Sequence, residues 1–207
     1  MAVATPDRTR HAVLLALPGV VLGIAGLWHP MHLTAATADR WWMLHVAGLF
    51  VFPLVAISLV SLVRGRRDPL AVLVTLTAYV YATAYSALDV ISGIAAGYVT
   101  SRLPAGAPRP DEVRSLFRIG TPLGHLGSVA LVLAVLLLTA DVVRRAPGAT
   151  ATVLLAGAVA TVGALLLHFF HIYPPFGSAG IALVGIGTGG LAWAHADRSR
   201  PGSRPAS

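Results

Sequence analysis

The sequence predicts an all-α, polytopic membrane protein built as a bundle of six transmembrane helices. Three observations carry that prediction. The 207-residue chain is 56% hydrophobic and only 11% charged, whereas soluble domains carry about 25% charged residues; one water-soluble core could not bury this much apolar surface. The apolar residues run continuously instead of alternating with period two, which sets strands aside. Six such runs, at 11–29, 41–63, 69–98, 119–143, 150–171 and 176–195, are each long enough to cross about 30 Å of hydrocarbon. The expected organisation is one transmembrane domain over 1–196 and a disordered, cytoplasmic tail over 197–207, "DRSRPGSRPAS", which has too little apolar surface to fold.

The first run follows Arg8 and Arg10. With "AATA" at 35–38 it loosely resembles a secretory signal, but the run is long for one and "HPMH" separates it from the small residues, so a retained helix is expected. The second run stops at "RGRRDP" (64–69) and the third before the proline-rich "RLPAGAPRPDE" (102–112). Within a loop spanning 99–118, "PDEVRSLF" opens like a short helix, with proline and acids in its first turn; the loop could lid a site. "RRAPG" (144–148) ends the fourth run, and Pro174 and Pro175 follow the fifth. The sixth, "GSAGIALVGIGTGGLAWA", has no ionisable residue before His195 and reads as a packing helix. Three GxxxG pairs, Gly19/Gly23, Gly120/Gly124 and Gly185/Gly189, are of the kind that lets membrane helices approach closely.

Orientation follows from the fifteen arginines, since lysine is absent. Arg8, Arg10, Arg64, Arg66, Arg67, Arg144, Arg145, Arg198, Arg200 and Arg204 fall on one side of the bundle, and Arg40, Arg102, Arg109, Arg114 and Arg118 on the other. The positive-inside rule then places both termini in the cytoplasm of a multi-pass protein of the cell membrane. The net charge of +7 is scattered in short clusters between apolar runs, which is a topology signal and not a nucleic-acid stripe. With no cysteine, disulfides, thiolate metal sites and cysteine nucleophiles are excluded.

The stretch "LWHPMHLTAATADRWWMLH" (27–45) concentrates metal-capable groups in a chain that elsewhere avoids them. Counting from the cytoplasmic anchors, His29 lies nineteen residues after Arg10, while His45 and His125 lie nineteen before Arg64 and Arg144. Asp89 lies twenty-one after Asp68, and His168 eighteen after Thr150. At about 1.5 Å per residue all sit roughly 27 to 32 Å from the cytoplasmic edge, and His32 and His171 follow one turn further out. Six of the eight histidines, with Asp89 taken as the one carboxylate inside an apolar run, therefore share a level near the extracytoplasmic interface. A carboxylate at such depth costs several kcal/mol unless paired, protonated or metal-bound. Thr77, Tyr81, Tyr85 and Asp89 recur every four residues, with Ser92 three further on, so they line one helix face. Trp28, Trp41, Trp42, Tyr98, Tyr173 and Phe176 read as an aromatic belt on the same side.

The expected metal ligands are His29, His32, His45, Asp89, His125, His168 and His171, with Asp89 as ligand or general base. Imidazole suits copper, zinc, iron and nickel. Met31 and Met43 stand within two residues of cluster histidines, and thioether tilts the order to copper first, then zinc, then non-haem iron. A b-type haem on His45 with His125 or His168 is the alternative cofactor. No GxxxxGK[ST], GxSxG or HExxH motif occurs. The expected function is that of a membrane metalloprotein, a copper oxidoreductase or a zinc hydrolase acting on an apolar or lipid-like substrate. Haem electron transfer, or metal binding and transport without catalysis, are the alternatives. The polar stripe leaves only Thr75 and Thr77 in the cytoplasmic half of its helix, which favours a one-sided site over a through-path. The lipid bilayer is the expected partner, and nucleic acid is not.

Overall fold

The computed structural model describes residues 7–196; the predicted tail lies outside the described residues. Among them there are only helices, turns and connecting segments, and six helices are long and apolar enough to cross a membrane. These are α1 (Arg8–Gly26), α2 (Ala38–Ser61), a composite third span, α5 (Asp111–Arg145), α6 (Thr150–Phe170) and α7 (Phe176–Ala196). The composite span runs without a break through α3 (Pro69–Leu88), a π-helical segment (Asp89–Ala95) and α4 (Ala96–Ser101). The six expected runs thus become six helices.

Local chemistry sets the ends. The Asp7 carboxylate accepts from the Thr9 N–H at 3.1 Å, and Asp68 accepts from the Ala71 N–H with Pro69 in the first helical position, a favourable pairing of cap and proline. α5 carries Asp111 and Glu112 in its first turn and Arg144 and Arg145 in its last, the sense that complements the helix dipole. That acidic start is not a separate short helix in a loop. It continues into the fourth apolar run, so the connection between the third and fourth spans shrinks to 102–110. α1 stops at Gly26, short of the expected position 29, because a residue preceding proline is driven out of the α region and Pro30 follows His29.

Small residues decide how the helices meet. α7 packs along both α1 and α6, and α3 packs along α5. A Cβ on Gly19 would lie 2.6 Å from the Ile181 carbonyl oxygen, and one on Gly185 would lie 2.4 Å from that of Ala16. Gly120 and Gly124 face Ser92 and Leu88. All three GxxxG pairs therefore sit on helix seams, and at Gly19 and Gly185 the atoms met are backbone, so that only a missing side chain permits the approach.

The first and last helices close at one end, where the Arg8 Nε donates to the Trp193 carbonyl at 2.8 Å. The same end holds a second buried carboxylate inside an apolar run. Asp141 is 1% exposed and receives Arg66 through two bonds of 2.7 and 2.9 Å, with Arg145 Nε at 2.9 Å. Arg66 also pairs with Asp68, and Arg145 contacts His195 and donates to the Leu62 carbonyl. The loop between α2 and α3 is thereby tied to α5 and α7. Asp89 is consequently one of two buried carboxylates inside apolar runs, and the two differ completely in their surroundings.

Candidate metal centre

At the opposite end, three histidines from three different segments converge. His45 lies in α2, nineteen residues before Arg64, or about 28 Å along the helix. Its Nδ1 donates to the Trp41 carbonyl at 2.7 Å, and because a carbonyl can only accept, the lone pair is left on Nε2. His29 lies in the connection after α1. Its Nδ1 donates to the Pro30 carbonyl at 2.8 Å, so its Nε2 also carries the lone pair. Burial first, then the neighbouring His45, lowers the His29 pKa to about 4, which keeps this imidazole neutral at pH 7.

His171 follows the last residue of α6 and adopts φ 50°, ψ −147°. This is a left-handed conformation that costs a non-glycine residue about 1–3 kcal/mol and recurs at functional sites. Its Nδ1 is within 2.8 Å of the Tyr85 hydroxyl. Ring centroids lie 5.0 Å apart for His29 and His45, 5.9 Å for His29 and His171, and 6.4 Å for His45 and His171. One ligand nitrogen from each falls within 4.8 Å of the others. A tetrahedral site with bonds near 2.0–2.1 Å needs nitrogens about 3.4 Å apart, so the rings would close by no more than about 1.5 Å on an ion. Each ring also has its Nδ1 held by a backbone carbonyl or a hydroxyl, the outer support that metal-ligating histidines characteristically have.

Asp89 adjoins this group. It is fully buried, and neither carboxylate oxygen has a hydrogen-bond partner. Together with His29 Nε2 and the Tyr81 hydroxyl, these are the buried side-chain polar atoms left unpartnered among the described residues. His29, His45 and Asp89 line one small apolar cavity of about 100 Å³ between α1 and α2. Buried polar atoms are normally hydrogen-bonded, and concentrated exceptions need an explanation. Three imidazoles form a donor set suited to a divalent ion, so His29, His45 and His171 fit one, and Asp89 shares a cavity with two of them.

The π-helical segment that begins at Asp89 explains how these groups meet. π-bulges often mark functional sites. Here the Ser92 carbonyl accepts from the Trp41 indole N–H at 3.2 Å, and Gly93 lies flush on the His45 ring. Trp41 is 3% exposed. It stacks on His45 at 5.4 Å and meets His29 edge-on at 4.8 Å, so it walls the centre and does not belong to the surface belt. Tyr173, likewise assigned to the belt, packs against His29 at 5.0 Å. Trp28, Tyr98 and Phe176 are exposed as a belt requires.

The remaining expected histidines are not part of the three-histidine group. His32 is exposed in the connection before α2, where its carbonyl accepts from the Thr37 hydroxyl at 2.7 Å. His125 and His168 form their own pair, with centroids 5.4 Å apart and His168 Nδ1 2.8 Å from the Ser128 hydroxyl. Together with His45, His171 and Tyr85 they line a second cavity of about 180 Å³. That volume is below the roughly 300–1,000 Å³ of pockets for drug-sized ligands. Met31 and Met43 are each 53% exposed, unlike the buried His29 and His45. Arg109 donates to the Leu33 carbonyl at 3.2 Å, which fastens the 102–110 connection over this end of the bundle.

The chain matches no protein-family model, and no curated protein or solved structure is significantly similar to it.

Proposed function

We propose that this is an integral membrane metalloprotein holding a divalent ion on His29, His45 and His171, with Asp89 as fourth ligand or as the general base beside it. The observation that carries the reading is the convergence of one nitrogen from each of three histidines within 4.8 Å, two of which, His29 and His45, share a small cavity with the buried, unpartnered Asp89 carboxylate. Zinc, or iron in a related ligand set, takes precedence over copper, because the donors at the centre are nitrogen and oxygen and both methionines are exposed. The arginine bias assigns the opposite end to the cytoplasm and this centre to the extracytoplasmic leaflet. Bound there, such an ion would supply Lewis acidity and an activated water. The chain's own residues would orient the ligands through Trp41, Pro30 and Tyr85, exclude bulk water with Trp41 and Tyr173, and hold a proton on Asp89. The adjoining 180 Å³ cavity would admit a small substrate, and hydrolysis is the reaction class that this donor set supports best.

The test is metal content by plasma mass spectrometry, with an absorption spectrum, on the full chain purified in neutral detergent. About one zinc or iron per chain is expected, lost in His45→Ala and His171→Ala. Failure to retain zinc, copper or iron after reconstitution with each would overturn the proposal, and so would a Soret band.

A further inference from the structure

A groove at the arginine-rich end points to a second and separate ligand. It lies between α2 and α3, has a volume of about 500 Å³, and is walled by Pro53, Ala56, Ile57, Tyr79 and Ala82, with Arg64 at one extremity. Its depth has a sequence cause, since Ala56 and Ala82 put methyl groups where larger side chains would fill the seam. Ile57 and Tyr79 stand outward on either rim, 61% and 67% exposed.

The dimensions match one leaflet of a bilayer. Pro53 and Arg64 are eleven residues apart, or about 16 Å at 1.5 Å per residue, and half of a hydrocarbon core is about 15 Å. The groove therefore runs from headgroup level to near the midplane. At roughly 30 Å³ for a group the size of a water molecule, it holds on the order of sixteen methylenes, the scale of one acyl chain.

Charge selects the headgroup. Arg64, Arg66 and Arg67 lie in the connection between α2 and α3, and Arg145 reaches it from the end of α5. Arg66 is neutralised by Asp68 and Asp141, and Arg145 is occupied by the same Asp141. Arg64 is exposed and has no acidic partner among the described residues, although it stands where α2 leaves the apolar region. A guanidinium at that level binds phosphate well, and basic pockets between helices on the cytoplasmic side recognise anionic headgroups.

We infer that this groove is a binding site for an anionic glycerophospholipid, with its phosphate on Arg64 and one acyl chain laid along Ile57, Ala56 and Pro53 against Tyr79 and Ala82. Neither the metal centre nor its chemistry enters this inference.

Native mass spectrometry of the full chain in neutral detergent, titrated with phosphatidylglycerol or with phosphatidylcholine of the same acyl chains, tests it. One phosphatidylglycerol should be retained preferentially. Arg64→Gln should weaken that retention about fivefold, the worth of one arginine near a charged surface, and bring it to the phosphatidylcholine level, whereas Arg67→Gln should retain the preference. Ala82→Phe should reduce retention of both lipids. If Ala82→Phe fails to fold, the two arginine variants still decide. Equal retention of the two lipids by the unaltered chain would overturn the inference, as would a preference undiminished in Arg64→Gln. A stable dimer that persists while excluding lipid would overturn it too, assigning the groove to a second copy of the chain.

Discussion

Gly93 lies against the His45 ring so closely that a Cβ added to it would stand 2.2 Å from the ring Cδ2 and 2.3 Å from Cγ. The contact joins the π-helical segment of the third span to one histidine of the triad. No rotation of a flexible tip relieves it, because the atoms met are the root of a ring already bonded to the Trp41 carbonyl. Gly93→Ala should therefore displace His45 and lower metal affinity at least tenfold. Overpacking of this size costs about 1–3 kcal/mol, so the helical circular dichroism should persist. Parallel metal analysis and thermal melts check this, and full metal retention in the variant would refute it.

Asp89 supplies a prediction in which stability changes sign with metal. Without an ion, its buried and unpartnered carboxylate is a liability. Asp89→Leu, close in volume, should then raise the melting temperature of chelator-treated protein by a few degrees, corresponding to about 1–2 kcal/mol. Added metal stabilises the unaltered protein by about 2.7 kcal/mol at a hundredfold excess over Kd, and in the variant that gain should be mostly lost. Melts of both proteins with and without metal give the four numbers needed.

Depth was legible in the sequence and facing was not. Counting residues from the cytoplasmic anchors put His29, His45, Asp89, His125 and His168 at one level, with His32 and His171 a turn further out, because helical rise is constant. Which of them meet depends on rotation about each axis and on where regular helix stops. His168 and His171, one turn apart, should share a face. Yet α6 ends at Phe170, and the positive φ of His171 swings that ring to Tyr85 and His29 while His168 stays with Ser128. Pro30 acts similarly on the first H-x-x-H pair, burying His29 and leaving His32 outside. The π-helical turn, which sets the register between Ser92, Gly93 and α2, has no periodicity signal of its own. Asp141 stands near the end of an apolar run, three residues before "RR", where a solvated acid is the ordinary expectation, so its burial has no signal in the sequence.

That division among histidines is itself testable. His32→Ala and Met31→Leu should leave metal content within error of the unaltered chain, whereas His29→Ala should lose most of it. Loss of metal in His32→Ala under conditions where the protein remains folded would mean that the exposed connection closes on the centre. Single-variant metal stoichiometries make the comparison.

Tyr85→Phe isolates the support of a ligand from the ligand itself. The ring should stay packed on Phe52, whose centroid is 4.6 Å away, so only the hydroxyl contact to His171 is removed. Groups that orient a ligating histidine typically contribute 10–100-fold to affinity, and a neutral hydroxyl should lie near tenfold. Competition with a metal indicator measures this, and an unchanged affinity would show that the strained backbone of His171 suffices to aim the ring.

Asp141 should behave as the reverse of Asp89. It is equally buried, but Arg66 and Arg145 converge on it. Removing its charge would leave two guanidiniums facing one another in a partly buried space. Breaking a buried ion pair from one side costs about 3–5 kcal/mol. Since Arg66 and Arg145 keep 29% and 22% of their side-chain surface exposed, the cost should fall at the low end, about 3 kcal/mol, for Asp141→Asn. The ties from α5 to the loop between α2 and α3 and to α7 should weaken together, while the metal centre some 28 Å away along α2 keeps its ion in the folded fraction. Equilibrium unfolding in mixed detergent, read beside metal content, separates the two ends, and a variant as stable as the unaltered chain would show that the arginines find solvent without Asp141.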